Sequence, residues 1–137
     1  MFLNNIELFY SKNKVIIISF FSFILVAFSW VLNIGWYRVL FVIPIVLHLV
    51  IFIIVNYKYY KKISLKLDFI SKINIFSFYL FYIIFPDGGD TPASTRTFFG
   101  LIHLNNDIIL SIFSLFSIIL LVFNIIIIFI QLYKIRK

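Results

Sequence analysis

The sequence contains no cysteine in its 137 residues. This excludes disulfides, thiolate metal sites and thiol relay chemistry, and with them the four-helix thiol oxidoreductases. Charge is also scarce: charged residues make up 12% of the chain, and only five residues are acidic. Hydrophobic residues make up 64%, and the mean hydropathy of +1.13 lies far outside the range of soluble globular proteins. The composition therefore predicts an all-α integral membrane protein with a single domain.

Long stretches of the chain lack charge altogether, namely 15–37, 39–57, 73–86 and 108–133. Three of these exceed the roughly 18 to 20 residues that cross a hydrocarbon core about 30 Å thick. The first is too long for the apolar part of a signal peptide, and no small-x-small cleavage pattern follows it, so we predict a membrane anchor. It also lacks the membrane-embedded glutamate on which small multidrug exporters rely.

We predict four transmembrane helices in an antiparallel bundle, at about 15–34, 39–55, 69–85 and 108–130. The third is the shortest: it reaches spanning length only if it starts at Phe69 and Lys72 extends toward the headgroups. A re-entrant hairpin is the alternative there. Pro44 predicts a kink in the second span. The residues before the first span form either an interfacial helix or a frayed terminus.

The distribution of basic residues predicts the orientation. With both termini on one side, ten lysines and arginines fall on that side and two on the other. The positive-inside rule therefore predicts a multi-pass protein of the plasma (inner) membrane with both termini cytoplasmic. The net charge of +7 is explained by this topology rather than by nucleic acid. The segment 58–72 lies beside anionic lipid headgroups, although a nucleotide or protein could also use it; its basic residues are Lys58, Lys61, Lys62, Lys66 and Lys72.

Polar residues recur at helical spacing within the spans and form stripes. We interpret the stripes as helix-packing surfaces, because small hydroxyl residues let backbones approach closely and an amide facing lipid would lack a partner. The alternative is that they line a substrate path or pore. The stripe residues are Ser19, Ser22, Ser29, Asn33, Asn74, Ser77, Ser111, Ser114, Ser117 and Asn124.

His48 lies near the middle of the second span, one turn after Pro44. We expect it to be neutral and to form a hydrogen bond with a serine across the bundle. The alternatives are a proton relay, ligand binding or haem ligation.

The loop 86–107 is longer than a connection between spans requires. Thr91 and Pro92 predict the start of a short external helix resting at the membrane interface, and Asp107 is the predicted N-cap of the last span. Arg96, Phe98 and Phe99 are candidate contacts for an external partner.

The loop also contains three aspartates and one histidine, which are residue types used in metal binding and catalysis. Asp87, Asp90, His103 and Asp107 are weak candidates for a Ca²⁺ site, but the spacing is not that of an EF-hand. Turns and helix caps explain the aspartates better, so we predict neither a metal nor a cofactor. Ser94 or Thr95 can be combined with His103 and Asp107 into a hydrolase triad, but no catalytic motif surrounds them.

The sequence thus predicts a non-enzymatic multi-pass membrane protein that acts as an oligomeric or partner-binding subunit. The predicted partners are the anionic bilayer surface and either a second copy or another membrane protein. The alternative function is an oligomeric ion- or proton-conducting pore, or a small transporter, lined by the polar stripes and His48.

Overall fold

A computed structural model describes residues 2–32, 35–63, 68–87 and 95–137; for residues 2–13 and 15 it describes the backbone only. The chain is mostly helical. In order, the elements are α1 (Phe2–Leu32), α2 (Trp36–Leu40), α3 (Val42–Lys62), α4 (Phe69–Ile84), β1 (Arg96–Thr97), β2 (Ile102–His103) and α5 (Asp107–Arg136).

Within the residues described, two helices, α3 and α5, are long and apolar enough to cross a membrane. Only 28% of the most apolar part of each is buried against the rest of the protein, and large apolar side chains cover their outer faces. The core helix of a soluble protein would instead be mostly buried. Two shorter apolar helices accompany them, Ile16–Leu32 within α1 and Phe69–Ile84.

Helix α1 runs without interruption from Phe2 to Leu32. The segment before the first predicted span is therefore continuous with that span, and the frayed terminus proposed as one alternative is wrong for the described backbone.

The predicted kink at Pro44 is instead a break three residues earlier. Helix α2 ends at Leu40, and Val42 starts α3, with Phe41 between them. Pro44 therefore lies in the first turn of α3, where the missing backbone N–H would have no partner inside the helix.

Helix α4 packs against α1 and α5, and α3 packs against the same two helices. Aromatic side chains fill the space between α3 and α4: the rings of Phe52 and Phe78 are stacked with their centroids 3.8 Å apart. Phe78 also lies next to Tyr82, at 4.9 Å between centroids. Leu120 and Ile128 of α5 complete this core.

The predicted external helix is wrong over the residues described, because 95–106 contains a β-hairpin. Strands β1 and β2 are antiparallel, with Arg96 opposite His103 and Thr97 opposite Ile102. The hairpin is fixed by bonds to α4: the Phe98 N–H donates to the Ile83 carbonyl at 2.9 Å, and the Thr97 hydroxyl donates to the Ile84 carbonyl. A helix end leaves such carbonyls without partners. Thr91 and Pro92 lie outside the described residues.

The N-cap of α5 is Asn106 rather than Asp107. The Asn106 side chain accepts from the backbone N–H groups of Ile108, at 2.8 Å, and Ile109, at 3.4 Å. Asparagine caps helices about as well as aspartate, so the sequence does not distinguish the two positions. Asp107 becomes the first residue of α5, where its negative charge favours the positive end of the helix dipole.

Candidate functional site

Six polar side chains from three helices meet in the interior, in a cluster we call the amide seam. The two members on α3 are eight residues apart and the two on α5 are seven apart, and both spacings return to the same helix face. Asn74, Asn124 and Gln131 have no exposed surface. The members of the seam are His48 and Asn56 on α3, Asn74 and Ser77 on α4, and Asn124 and Gln131 on α5.

Asn124 is the most connected residue of the seam. The two N–H groups of its amide are shared among three acceptors, namely the carbonyl oxygen of Asn74 at 2.9 Å, the side-chain oxygen of Asn74 at 2.7 Å and the Ser77 hydroxyl at 2.9 Å. Three acceptors around one nitrogen fix the orientation of the amide. The Asn124 Oδ1 atom therefore points the other way, toward α3.

The Asn74 amide connects this group to the second half of the seam. Its nitrogen donates to Gln131 Oε1 at 2.7 Å and to Asn56 Oδ1 at 3.3 Å. Gln131 Nε2 donates to the same Asn56 oxygen at 3.1 Å. The Asn56 side-chain nitrogen donates to the Phe52 carbonyl at 2.8 Å. Each amide in this half therefore both donates and accepts.

His48 joins the seam through both ring nitrogens. Its Nε2 lies 2.9 Å from Asn124 Oδ1, and its Nδ1 lies 3.1 Å from the Tyr82 hydroxyl. Because an amide oxygen only accepts, Nε2 carries the proton. In the neutral ring, Nδ1 then accepts from Tyr82. The expected serine partner is thus replaced by a tyrosine and an asparagine.

These pairings also give the directions of the helices. His48 pairs with Asn124 and Asn56 with Gln131, so α3 and α5 run the same way. Asn74 pairs with Asn56 while Tyr82 pairs with His48, so α4 runs the opposite way.

A smaller set of bonds joins α1 to α4. The Ser22 hydroxyl lies 3.2 Å from the Tyr79 hydroxyl, which donates to the Ile18 carbonyl at 3.2 Å. Ser29 donates to the Tyr82 carbonyl at 2.6 Å. Both serines are buried at this contact.

The remaining residues of the predicted stripes differ in how far they are buried. Ser117 is buried and bonds the Phe113 carbonyl of its own helix at 2.8 Å. Ser19 and Ser114 are half-buried, and Ser111 is exposed. Asn33 lies outside the described residues.

A second buried polar group lies where α2, α4 and the hairpin meet. Arg38 is 1% exposed, and its guanidinium donates to the Ser29 hydroxyl at 3.0 Å and the Phe85 carbonyl at 3.1 Å. The buried Asp87 accepts from the Arg38 backbone N–H at 2.8 Å and pairs through its own backbone with Arg96. Burial lowers the pKa of Arg38 to about 10, partly offset by attraction to Asp87. Arg38 therefore stays charged at neutral pH.

The loop residues considered for chemistry are separated in the structure. Asp87 is buried and bonded to Arg38 where α2, α4 and the hairpin meet. His103 and Asp107 are exposed, and Asp90 is outside the described residues. Among the described residues, no three His, Cys, Asp or Glu side chains gather where they could hold a metal ion. Thr95 is buried in the hairpin, and Ser94 is not described.

The three candidate external contacts differ in exposure. Arg96 is exposed. Phe98 packs inward against Phe113, at 6.2 Å between ring centroids. Phe99 lines an apolar groove beside α1.

The basic residues lie at the opposite end of the helices. Lys58, Lys61, Lys62 and Lys72 are exposed, and Lys62 donates to the Ile135 carbonyl near the end of α5. Lys66 is outside the described residues.

Sequence reasoning did not single out Asn56, Tyr82, Gln131 or Arg38 as site residues. Asn56 and Gln131 are close to lysine-rich ends, where polar residues usually face solvent. The available signal was the spacing: Asn56 lies eight residues after His48, and Gln131 lies seven residues after Asn124, so each pair shares a helix face. Comparisons with protein-family models, curated proteins and solved structures found no match to this chain.

Proposed function

We propose that the chain is a non-enzymatic multi-pass protein of the inner membrane, with four spans and both termini cytoplasmic. It acts as a membrane subunit that binds a second copy of itself or another membrane protein. The four spans are Ile16–Leu32 within α1, α3, α4 and α5; the apolar parts of α1 and α4 are the shorter ones and would need local thinning of the bilayer.

The observation that carries this proposal is the closure of the amide seam. Its amides have no exposed surface apart from a small fraction of Asn56, and they pair with one another. Interhelical hydrogen bonds of this kind hold membrane helices together. With the internal polar groups engaged in this way, the surfaces left for partners are the apolar outer faces and the hairpin end.

The orientation is supported by the helix directions and the basic residues. Alternating directions of α3, α4 and α5 bring the lysine-rich end of α3 to the same side as the C-terminal lysines. Lysines and arginines gather on the cytoplasmic side of membrane proteins.

Co-expression of two differently tagged copies tests the proposal. After extraction from membranes with a mild detergent, purification through one tag should recover the other copy or a stoichiometric membrane protein. Mixing the two copies only after extraction controls for aggregation. Recovery of a monodisperse monomer without a companion would contradict the proposal.

The alternative function is a proton- or ion-conducting pore. The observation that favours it is the chain from Tyr82 through His48 to Asn124, combined with the half-buried state of His48. Against a pore, this series of hydrogen bonds continues from Asn124 into other amides, which lack the readily exchanged proton of a hydroxyl or imidazole. Liposomes containing the protein should show no proton flux. A flux abolished by His48→Phe, and retained in Ser111→Ala, would establish the pore.

A further inference from the structure

An apolar groove of about 540 Å³ runs along the outside of α1 and α4. Its α1 wall includes Ile18, Leu25 and Leu32, which are seven residues apart and therefore share one face. Its α4 wall is formed by Ile75 and Tyr79, and Phe99 of the hairpin lies at the same end as Leu32. The Tyr79 hydroxyl is bonded to Ser22 and to the Ile18 carbonyl, so it adds no unsatisfied polar group to the wall.

The dimensions of the groove suit a hydrocarbon chain. From Ile18 to Leu32 the helix rises about 21 Å at ~1.5 Å per residue. A volume of about 540 Å³ spread over that length gives a mean cross-section of about 26 Å². A single hydrocarbon chain, whose carbons keep about 4 Å from their neighbours, occupies roughly 16 Å². A groove of this mean cross-section has room for one such chain.

Two lysines lie about one helical turn beyond the groove, at the end that the proposed topology makes cytoplasmic. Lys14 lies four residues before Ile18, and Lys72 lies three residues before Ile75. Both spacings keep the lysines on the helix faces that line the groove, and both side chains are exposed. Ser22 bonds Tyr79 and Ser29 bonds Tyr82, so α1 and α4 run in the same direction and the two lysines lie at the same end. At the opposite end stand Phe99 and the hairpin.

We propose that this groove binds an anionic phospholipid of the cytoplasmic leaflet, with one acyl chain along α1 and α4 and the phosphate beside Lys14 and Lys72. The apolar wall receives the chain, and the lysines select the headgroup charge. Each lysine near an anionic lipid surface contributes about 1 kcal/mol, which corresponds to about fivefold in affinity. This inference rests on the membrane placement proposed above.

Native mass spectrometry of the delipidated protein tests the site. Dioleoyl phosphatidylglycerol and dioleoyl phosphatidylcholine, which have the same acyl chains, are added separately, and the number retained per chain is measured. The wild type should retain one phosphatidylglycerol more strongly than phosphatidylcholine. Lys14→Gln with Lys72→Gln should reduce that preference about 10- to 25-fold. The control, Lys58→Gln with Lys61→Gln, removes the same charge outside the groove and should leave the preference unchanged.

A second pair of variants tests the acyl-chain part of the site. Ile24→Trp fills the groove and should weaken retention of both lipids, whereas Ile119→Trp on the exposed face of α5 should not. Far-UV circular dichroism establishes that both variants fold. Equal retention of the two lipids by the wild type would overturn the inference, as would loss of preference in both lysine pairs.

The native mass spectra also report self-association, independently of lipid binding. If Ile24→Trp abolished the oligomer and left lipid retention intact, a helix of a second copy would be the occupant, and the lipid site would be wrong while the proposed function stood. A monomer that retained phosphatidylglycerol would give the opposite result.

Discussion

At the scale of single residues, the structure depends on amides that are buried without charge. Asn124 bonds His48, Asn74 and Ser77, which belong to two other helices. A buried polar group costs free energy unless it is paired, so these residues stabilise the fold only as a complete set. Asparagine suits this role because its amide donates and accepts at the same time.

Asn124→Leu removes the central amide and leaves Asn74 Oδ1 and the His48 Nε2–H without their partner. Interhelical hydrogen bonds in membrane proteins average about 0.6 kcal/mol each, so we expect a loss of about 2 kcal/mol in the free energy of unfolding. Reversible unfolding in mixed detergent–SDS micelles measures it. Ser111→Leu, at an exposed position on the same helix, should change stability by less than about 0.5 kcal/mol. An Asn124→Leu protein as stable as the wild type would show that the seam does not hold the helices together.

At the scale of elements, the hairpin is formed by an unusual turn. Phe98, Phe99 and Gly100 all have positive φ angles, of 50°, 57° and 80°. Side chains with a Cβ pay for that conformation in free energy, so the turn persists only because its surroundings hold it. The Phe98 N–H bond to Ile83 and the packing of Phe98 on Phe113 provide that support.

Gly100→Ala tests the turn. A Cβ at Gly100 would lie 2.8 Å from the Leu32 carbonyl oxygen, and alanine is also disfavoured at this φ by about 1 to 2 kcal/mol. We therefore expect a loss of stability of at least about 1 to 2 kcal/mol, measured by thermal unfolding in detergent. Leu101→Ala, on the neighbouring exposed residue, is the control and should be nearly neutral. Equal melting temperatures for the two variants would indicate that the hairpin does not pack on α1.

The start of α4 gives a prediction about pH. Asp68 caps the helix by accepting from the Ser71 N–H at 2.9 Å, and it accepts from the Tyr59 hydroxyl at 2.7 Å. Partial burial raises the pKa of the Asp68 carboxyl, but these hydrogen bonds and attraction to Lys134 outweigh burial and lower the pKa below its usual value. The stabilisation is therefore present above the unfolded pKa of 3.8 and is lost as the pH falls through the lower folded pKa.

Asp68→Asn keeps a capping side chain but removes the titrating group. The wild type should lose stability relative to Asp68→Asn when the pH is lowered from about 5 to about 2. Asp107→Asn, an exposed acid at the start of another helix, serves as the comparison. Parallel stability curves for the wild type and Asp68→Asn across this range would contradict the assignment.

At the scale of the whole molecule, the alternating helix directions place the hairpin and the lysine-rich end of α3 at opposite ends. The absence of cysteine makes this arrangement easy to test, because any introduced thiol is unique. Leu101→Cys lies on the exposed hairpin, and Lys137→Cys lies after α5. In intact cells, a membrane-impermeant maleimide should label only Leu101→Cys. Permeabilised cells should label both, and labelling of Lys137→Cys in intact cells would reverse the topology.

The sequence predicted the helices better than it predicted their partners. The predicted segment 69–85 matches α4, Phe69–Ile84, to within one residue, although the uncharged run starts only at 73, because the length needed to span a membrane moved the predicted start to Phe69. Helix α5 extends past the predicted 130 to Arg136, since basic residues favour a helix C-terminus rather than end it.

The hairpin and the amide seam depend on contacts distant in sequence. The local signal of Thr91 and Pro92 favours a helix, whereas the described hairpin is held by carbonyls of α4. The stripes identified Asn74, Ser77 and Asn124 as packing residues but not their partners Asn56 and Tyr82. Spacing shows which residues share a helix face, but not which helix lies opposite.

The mass of the protein in its native lipid is the most direct test of its proposed role as a membrane subunit. Membrane patches excised with an amphipathic polymer preserve neighbours, and native mass spectrometry measures the protein mass in each patch. We predict the mass of two or more copies of the 16.3 kDa chain, or the mass of the chain together with a stoichiometric second protein. A single 16.3 kDa chain as the dominant species across expression levels would contradict it.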